Sequence, residues 1–167
     1  PSSVAMVGAS ERPGALGGDV FQRLLAAGFK GPIYPVNPKR KTVLTHRAYP
    51  TLVAAVAAHG KPIDLAIVAT PGAAVPTVLE DASRAGVKNA VVLAAGFGES
   101  GPEGKARELS LAAQAKALGI RLVGPNCLGI MRPELGLDAT FARTPARPGP
   151  LALVSQSGAI CTALVDW

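Results

Sequence analysis

Short apolar runs alternate with segments of helical period along this chain. Val4-Ala5-Met6-Val7, Pro32-Ile33-Tyr34-Pro35-Val36, Ile63 to Ala69, Asn89 to Leu93 and Ile120-Arg121-Leu122-Val123 read as strands. Between them lie the helical pattern Val20-Phe21-Leu24-Leu25, a helix over Leu52–Ala58 with Thr51 as its N-cap, one over Ala74–Ala85 and one over Glu103–Leu118. Gly28 with Gly31, Gly86 and Gly119 mark helix ends. Mostly apolar strands alternating with helices at this spacing predict an α/β fold. The expected form is a Rossmann-type doubly wound parallel sheet covered on both faces.

In such a sheet ligands sit at the C-terminal ends of the strands. The first strand runs into Gly8-Ala9-Ser10-Glu11-Arg12-Pro13-Gly14, with Gly17 and Gly18 at the start of the following helix. A strand, a glycine-rich turn and a helix N-terminus together offer unpaired N–H groups to a phosphate. The alternative is a turn that only closes a βα unit. The spacing is not Gly-x-Gly-x-x-Gly, because Ser10 stands where the second glycine would, and no Gly-Lys-Ser/Thr follows. After the second strand comes Asn37-Pro38-Lys39-Arg40-Lys41, where a NAD-binding domain usually carries an acidic residue for the ribose hydroxyls. Three cations there predict a phosphorylated ribose, the 3′-phosphate of coenzyme A or the 2′-phosphate of NADP. The other strands end in Thr70-Pro71-Gly72, in the small-residue loop Ala94-Ala95-Gly96-Phe97-Gly98-Glu99, and in Gly124-Pro125-Asn126-Cys127-Leu128-Gly129. Cys127 reads as a buried structural thiol rather than a nucleophile.

From Arg132 to Gly149 the chain is rich in proline and arginine and reads as a connection. Leu151-Ala152-Leu153-Val154 reads as a new strand. Ser155-Gln156-Ser157-Gly158 follows as a second candidate anion turn, then a helical pattern Ala159–Trp167 without a cap. Both ends read as cut from a longer protein.

Composition and charge narrow the ligand. The 167 residues are 49% hydrophobic and carry a net charge of +6. Between Val20 and Ile63 there is no Asp or Glu, while Arg23, Lys30, Lys39, Arg40, Lys41, Arg47 and Lys61 lie there, so this segment holds +7 and the remainder −1. One-sided charge of this kind suits a polyanion. With no aromatic-rich strand and no recognisable nucleic-acid motif, a small phosphate-rich ligand fits better than nucleic acid. No run of eighteen apolar residues suggests a membrane span, and no signal-peptide pattern opens the chain. Cys127 and Cys161 lack metal-ligand or redox spacing, which points to reduced thiols in the cytoplasm and to no metal.

In this order, Val7-Gly8-Ala9-Ser10…Pro13-Gly14, Tyr34-Pro35-Val36-Asn37-Pro38-Lys39, Ala69-Thr70-Pro71, Ala95-Gly96-Phe97-Gly98-Glu99, Gly124 to Gly129 and Val154-Ser155-Gln156-Ser157-Gly158 resemble the N-terminal CoA-binding domain of NDP-forming acyl-CoA ligases. That family includes ADP-forming acetate–CoA ligases and relatives of the succinyl-CoA synthetase α subunit. The resemblance implies a CoA-binding domain over residues 1–149 and, over 150–167, the start of a flavodoxin-like ligase domain. It places the CoA contacts on Gly8, Ser10, Glu11, Arg12, Pro13 and Gly14, on Lys39 or Arg40, and on Ala94, Ala95 and Gly96. It gives Ser155, Ser157 and Gly158 a share in holding a phosphate, and puts the phosphate-carrying histidine beyond Trp167. No catalytic residue is then expected here, since neither His46 nor His59 sits in a motif. An ATP/ADP-binding domain or subunit and an oligomeric parent enzyme are expected partners. Two alternatives stand: a regulatory CoA-binding module fused to a protein lysine acetyltransferase, and an NADP-binding oxidoreductase domain.

Overall fold

A computed structural model describes residues 1–167. Its centre is a parallel sheet of β1 (Val4–Val7), β2 (Ile33–Val36), β5 (Leu65–Val68), β6 (Asn89–Val92) and β7 (Arg121–Val123), in the order β2-β1-β5-β6-β7. Val4 pairs with Ile33 on one side and with Leu65 on the other, so β1 is the pivot of the sheet. The chain steps outward from β1 to β2, then returns to β5 on the opposite side. This reversal makes the crevice between β1 and β5 the topological switch point, where doubly wound folds bind ligands. The expected fold class is therefore present.

Each face has its own cover. On one face, α2 (Leu52–His59), α3 (Val75–Arg84) and α4 (Pro102–Ala117) bury Leu52, Ala55, Val75, Leu79, Leu111 and Ala115 against Ala5, Val7, Ala66, Val68 and Val92. Thr51 caps α2 as expected, its side chain accepting from Ala54 N at 3.1 Å, and Gly60 closes the helix in the left-handed region. On the other face, α1 (Leu16–Ala26) lays Val20, Phe21 and Leu24 on Val4, Met6 and Ile67.

The rest of that second face is covered by an element that the sequence reading treats as a connection. Residues Gly129–Arg132 and Leu137–Thr140 form an antiparallel hairpin, β8–β9, and all four residues of β9 are buried. Leu137 and Ala139 join the α1 core. The two polar members satisfy one another: Thr140 donates to Asp138 Oδ1 through its hydroxyl at 2.7 Å and its backbone N at 3.2 Å. Arg23 of α1 faces the other Asp138 oxygen at 3.8 Å. A half-polar strand of this kind has no apolar run to announce it. A second small hairpin, β3 (Thr42–Val43) with β4 (His46–Arg47), follows β2 and is pinned to the α1 core by fully buried Val43.

The expected strand over Leu151–Val154 is not formed. Those residues join no ladder, so their backbone groups have no strand partner, and Leu151 and Val154 are almost fully exposed. The last helix, α5 (Gly158–Asp166), buries no residue.

Candidate functional site

At the switch point the backbone is packed as closely as glycine allows. Gly8 has φ +89°, and a Cβ there would lie 2.8 Å from the carbonyl oxygen of Ala69 at the end of β5. A Cβ on Gly17 would come within 2.0 Å of Gly8 O, and one on Gly18 within 2.7 Å of Ser10 O. The first turn of α1 is thereby seated directly on the loop after β1, so the positive end of its dipole opens into the crevice. Over Gly14 (φ +69°) there is open space. Ser10 Oγ accepts from Arg12 N at 3.1 Å and shapes the loop tip, where Glu11, Arg12 and Pro13 are exposed.

The loop after β2 is tied to this one. Asn37 Nδ2 donates to Ala9 O at 2.7 Å, and Asn37 Oδ1 accepts from Lys39 N at 2.8 Å, so one side chain both anchors the basic turn and bends it. Lys39, Arg40 and Lys41 are exposed and line a cleft of about 440 Å³ together with Asn37 and Pro50. The cleft has a further wall that the sequence reading did not single out: Arg47, from the β3–β4 hairpin. Its only sequence signal was the charge of the acid-free segment.

Beyond β5 the crevice continues. Thr70, directly after the strand, has a buried hydroxyl with no partner in the protein. A Cβ on Gly72 would lie 2.5 Å from Ala95 O, so the Thr70–Gly72 loop abuts the loop after β6. There Ala94 is buried and its carbonyl accepts from Asn126 N at 3.0 Å, which leaves Ala95 and Gly96 as the open members. Gly96 N and Phe97 N both donate to Glu99 Oε1, and Arg107 grips Gly96 O with Nε at 3.1 Å and Nη2 at 2.9 Å. These contacts hold the Glu99 carboxyl below the usual glutamate range: the Gly96 N–H contributes most, and Phe97 N–H and the Arg107 charge add to it.

The structure thus brings Gly8 to Gly14, Lys39 to Lys41, and Ala95 with Gly96 to one continuous rim along the strand ends. Ser155, Ser157 and Gly158 form a separate turn, beside Leu128 of the loop after β7. That turn is exposed, with Ser157 Oγ accepting from Ile160 N at 3.3 Å to cap α5, and a Cβ on Gly158 would meet only Leu128. Glu11 is in the rim, yet its carboxylate accepts from Leu44 N of the β3–β4 hairpin, as a strut between two loops. Cys127 Sγ donates to Val92 O at 3.3 Å, and burial pushes its thiol up, which agrees with a structural role.

A phosphate-rich ligand fits this rim on physical grounds. Glycine backbone offers close approach, the Thr70 hydroxyl has no partner in the protein, and a cation cluster stands at the end of β2. Comparison with known proteins decides the family: a model described as CoA binding domain matches residues 2–133. The chain belongs to the CoA-binding domain family. This CoA-binding domain is 40% identical, over all of its 167 residues, to the α subunit of acetate–CoA ligase (ADP-forming) I of Pyrococcus furiosus, of which it spans 36%. It is 39% identical to acetate–CoA ligase (ADP-forming) I of Archaeoglobus fulgidus, spanning 24% of that protein. Among solved structures it superposes with a TM-score of 0.90 and 36% identity on an acetyl-coenzyme A synthetase of Korarchaeum cryptofilum, in complex with phosphate and ADP, covering 99% of this chain and 34% of that one. The CoA-binding domain is accordingly about a third or less of the length of these relatives. No helix in it is long and apolar enough to cross a membrane.

Proposed function

We propose that this chain is the CoA-binding module of an ADP-forming acid–CoA ligase, which joins acetate or a similar small acid to CoA with ATP, giving acyl-CoA, ADP and phosphate. The observation that carries the reading is the likeness to acetate–CoA ligases over every residue of the chain, not over the glycine loop alone. The chain's own part is to seat CoA. The N–H groups around Gly8 to Gly14 and the α1 terminus suit the diphosphate, the Lys39–Arg40 turn suits the phosphorylated ribose, and the open backbone of Ala95 and Gly96 leaves room beyond the switch point.

On this reading the chemistry itself lies outside residues 1–167. His59 is engaged by Tyr34, His46 packs against Phe21, and neither lines the cleft. Residues 150–167, with the Ser155–Gly158 turn, would open the next ligase domain and place an anion turn there. An ATP/ADP-binding domain or subunit, an oligomeric parent and a cytoplasmic setting go with the same reading. Calorimetry with CoA, dephospho-CoA, NADP and NAD tests it. CoA should bind most tightly, and NADP binding as tightly as CoA would overturn it.

A further inference from the structure

The β3–β4 hairpin has no sheet of its own to complete, and it holds an uncommon backbone. Leu44 and Thr45, the two residues of its turn, both have positive φ, 47° and 66°, although neither is glycine. A β-branched residue in that region is costly and persists only where the surroundings fix it. Here they do: Glu11 takes the Leu44 N–H, and Val43 is fully buried. The effect of the turn is to bring Arg47 back beside Lys41, with Thr42 opposite Arg47 in the ladder and Ala48 N donating to Lys41 O at 2.9 Å.

Arg47 is also aimed. Its guanidinium carbon stands 5.3 Å over the ring of Tyr49. Tyr49 is fixed in turn by its backbone, which donates to Pro35 O at 2.9 Å and accepts from Asn37 N at 2.8 Å. None of Lys39, Arg40, Lys41 or Arg47 has a carboxylate within ion-pair distance. Four uncompensated cations share one cleft at the end of β2, and one of them is a guanidinium in cation–π contact with Tyr49. A planar fork already restrained by an aromatic ring loses less freedom when it binds, and it matches two phosphate oxygens as an ammonium cannot.

We propose that Arg47 is a specificity-determining residue of the CoA site, and that it grips the phosphate on the ribose from the hairpin side while Lys39 and Arg40 meet it from the turn. The inference rests on the reading that the ligand is CoA, since a phosphorylated ribose also occurs in NADP. Binding of CoA, dephospho-CoA and NADP to the 167-residue chain, to Arg47→Gln and to Arg47→Lys tests it. Arg47→Gln should weaken CoA by about tenfold, the loss expected for one charge-assisted contact, and change dephospho-CoA by no more than about twofold. Arg47→Lys should fall between the two, keeping the charge and losing the fork. Equal losses for CoA and dephospho-CoA, or no loss for either, would overturn the role of Arg47 and leave the proposed function standing. An unmutated chain that prefers NADP, with the Arg47→Gln loss confined to NADP and CoA, would uphold the ribose-phosphate grip and overturn the ligase reading. Binding of none of the three nucleotides would overturn both.

Discussion

The backbone N–H of Leu44 donates to the carboxylate of Glu11, thirty-three positions earlier in the chain. One acidic side chain thus joins the loop after β1 to the hairpin after β2. Glu11→Ala should free the Leu44 amide and loosen a turn whose dihedrals are unfavourable by themselves. The expected loss is about 1 kcal/mol in urea unfolding. Hydrogen exchange at Leu44 should accelerate far more than at core positions such as Ile67, and unchanged protection of Leu44 would show that the strut does not hold the turn.

Two glycines three positions apart should respond in unequal measure. Gly17→Ala would drive a Cβ to within 2.0 Å of Gly8 O, so α1 must shift away from the sheet. A loss of about 1–3 kcal/mol and weaker CoA binding are expected, as for other overpacked contacts. Gly14→Ala meets no atom within 4 Å, and only its φ of +69° opposes the change, at about 1 kcal/mol. Thermal denaturation and calorimetry of both variants should rank Gly17 above Gly14.

Tyr34 Oη lies 2.7 Å from His59 Nδ1, while His59 Nε2 is buried without a partner. Tyr34→Phe would leave both ring nitrogens unsatisfied and should cost about 1–2 kcal/mol. Adding His59→Leu removes those nitrogens and should recover part of the loss. A double variant less stable than Tyr34→Phe alone would mean that the ring packs more than it pairs.

Acid should open the loop after β6 before it unfolds the sheet. The Glu99 carboxyl is held below its ordinary range, first by the Gly96 N–H, so it favours the folded loop once pH is above the unfolded value. That contribution fades as pH falls through the lowered folded value. Carbon-detected titration should show a depressed Glu99 midpoint with the Gly96 amide moving in step. In Glu99→Gln the Gly96 amide should no longer titrate.

The central sheet was legible because its inner strands are short, mainly apolar runs, each followed by a turn. Val4 to Val7 and Leu65 to Val68 are buried throughout, so no alternation was needed to find them. The Gly8–Gly14 loop and the Lys39–Lys41 turn were legible for a related reason: residue type there answers a backbone or charge requirement. What escaped was carried by contact rather than pattern. Asp138 and Thr140 are buried only because they pair with each other and with Arg23, which no periodicity records. Arg47 gained its place from a two-residue ladder and the ring of Tyr49. Leu151 to Val154 erred the other way, with strand-forming residues but no neighbour to pair with.

The hairpin that ends at Thr140 seals the second face of the sheet, and Ala142 is the last buried residue of the chain. Past that point the chain adds no buried side chain to the core. The segment after Ala142 still touches the domain, since Arg23 donates to Arg143 O at 3.2 Å and Pro145, Ala146 and Pro148 lie beside Leu137 and Asp138. Substitutions at the exposed positions beyond Ala142 should therefore leave the packing of the sheet almost unchanged, because they reach it only from outside.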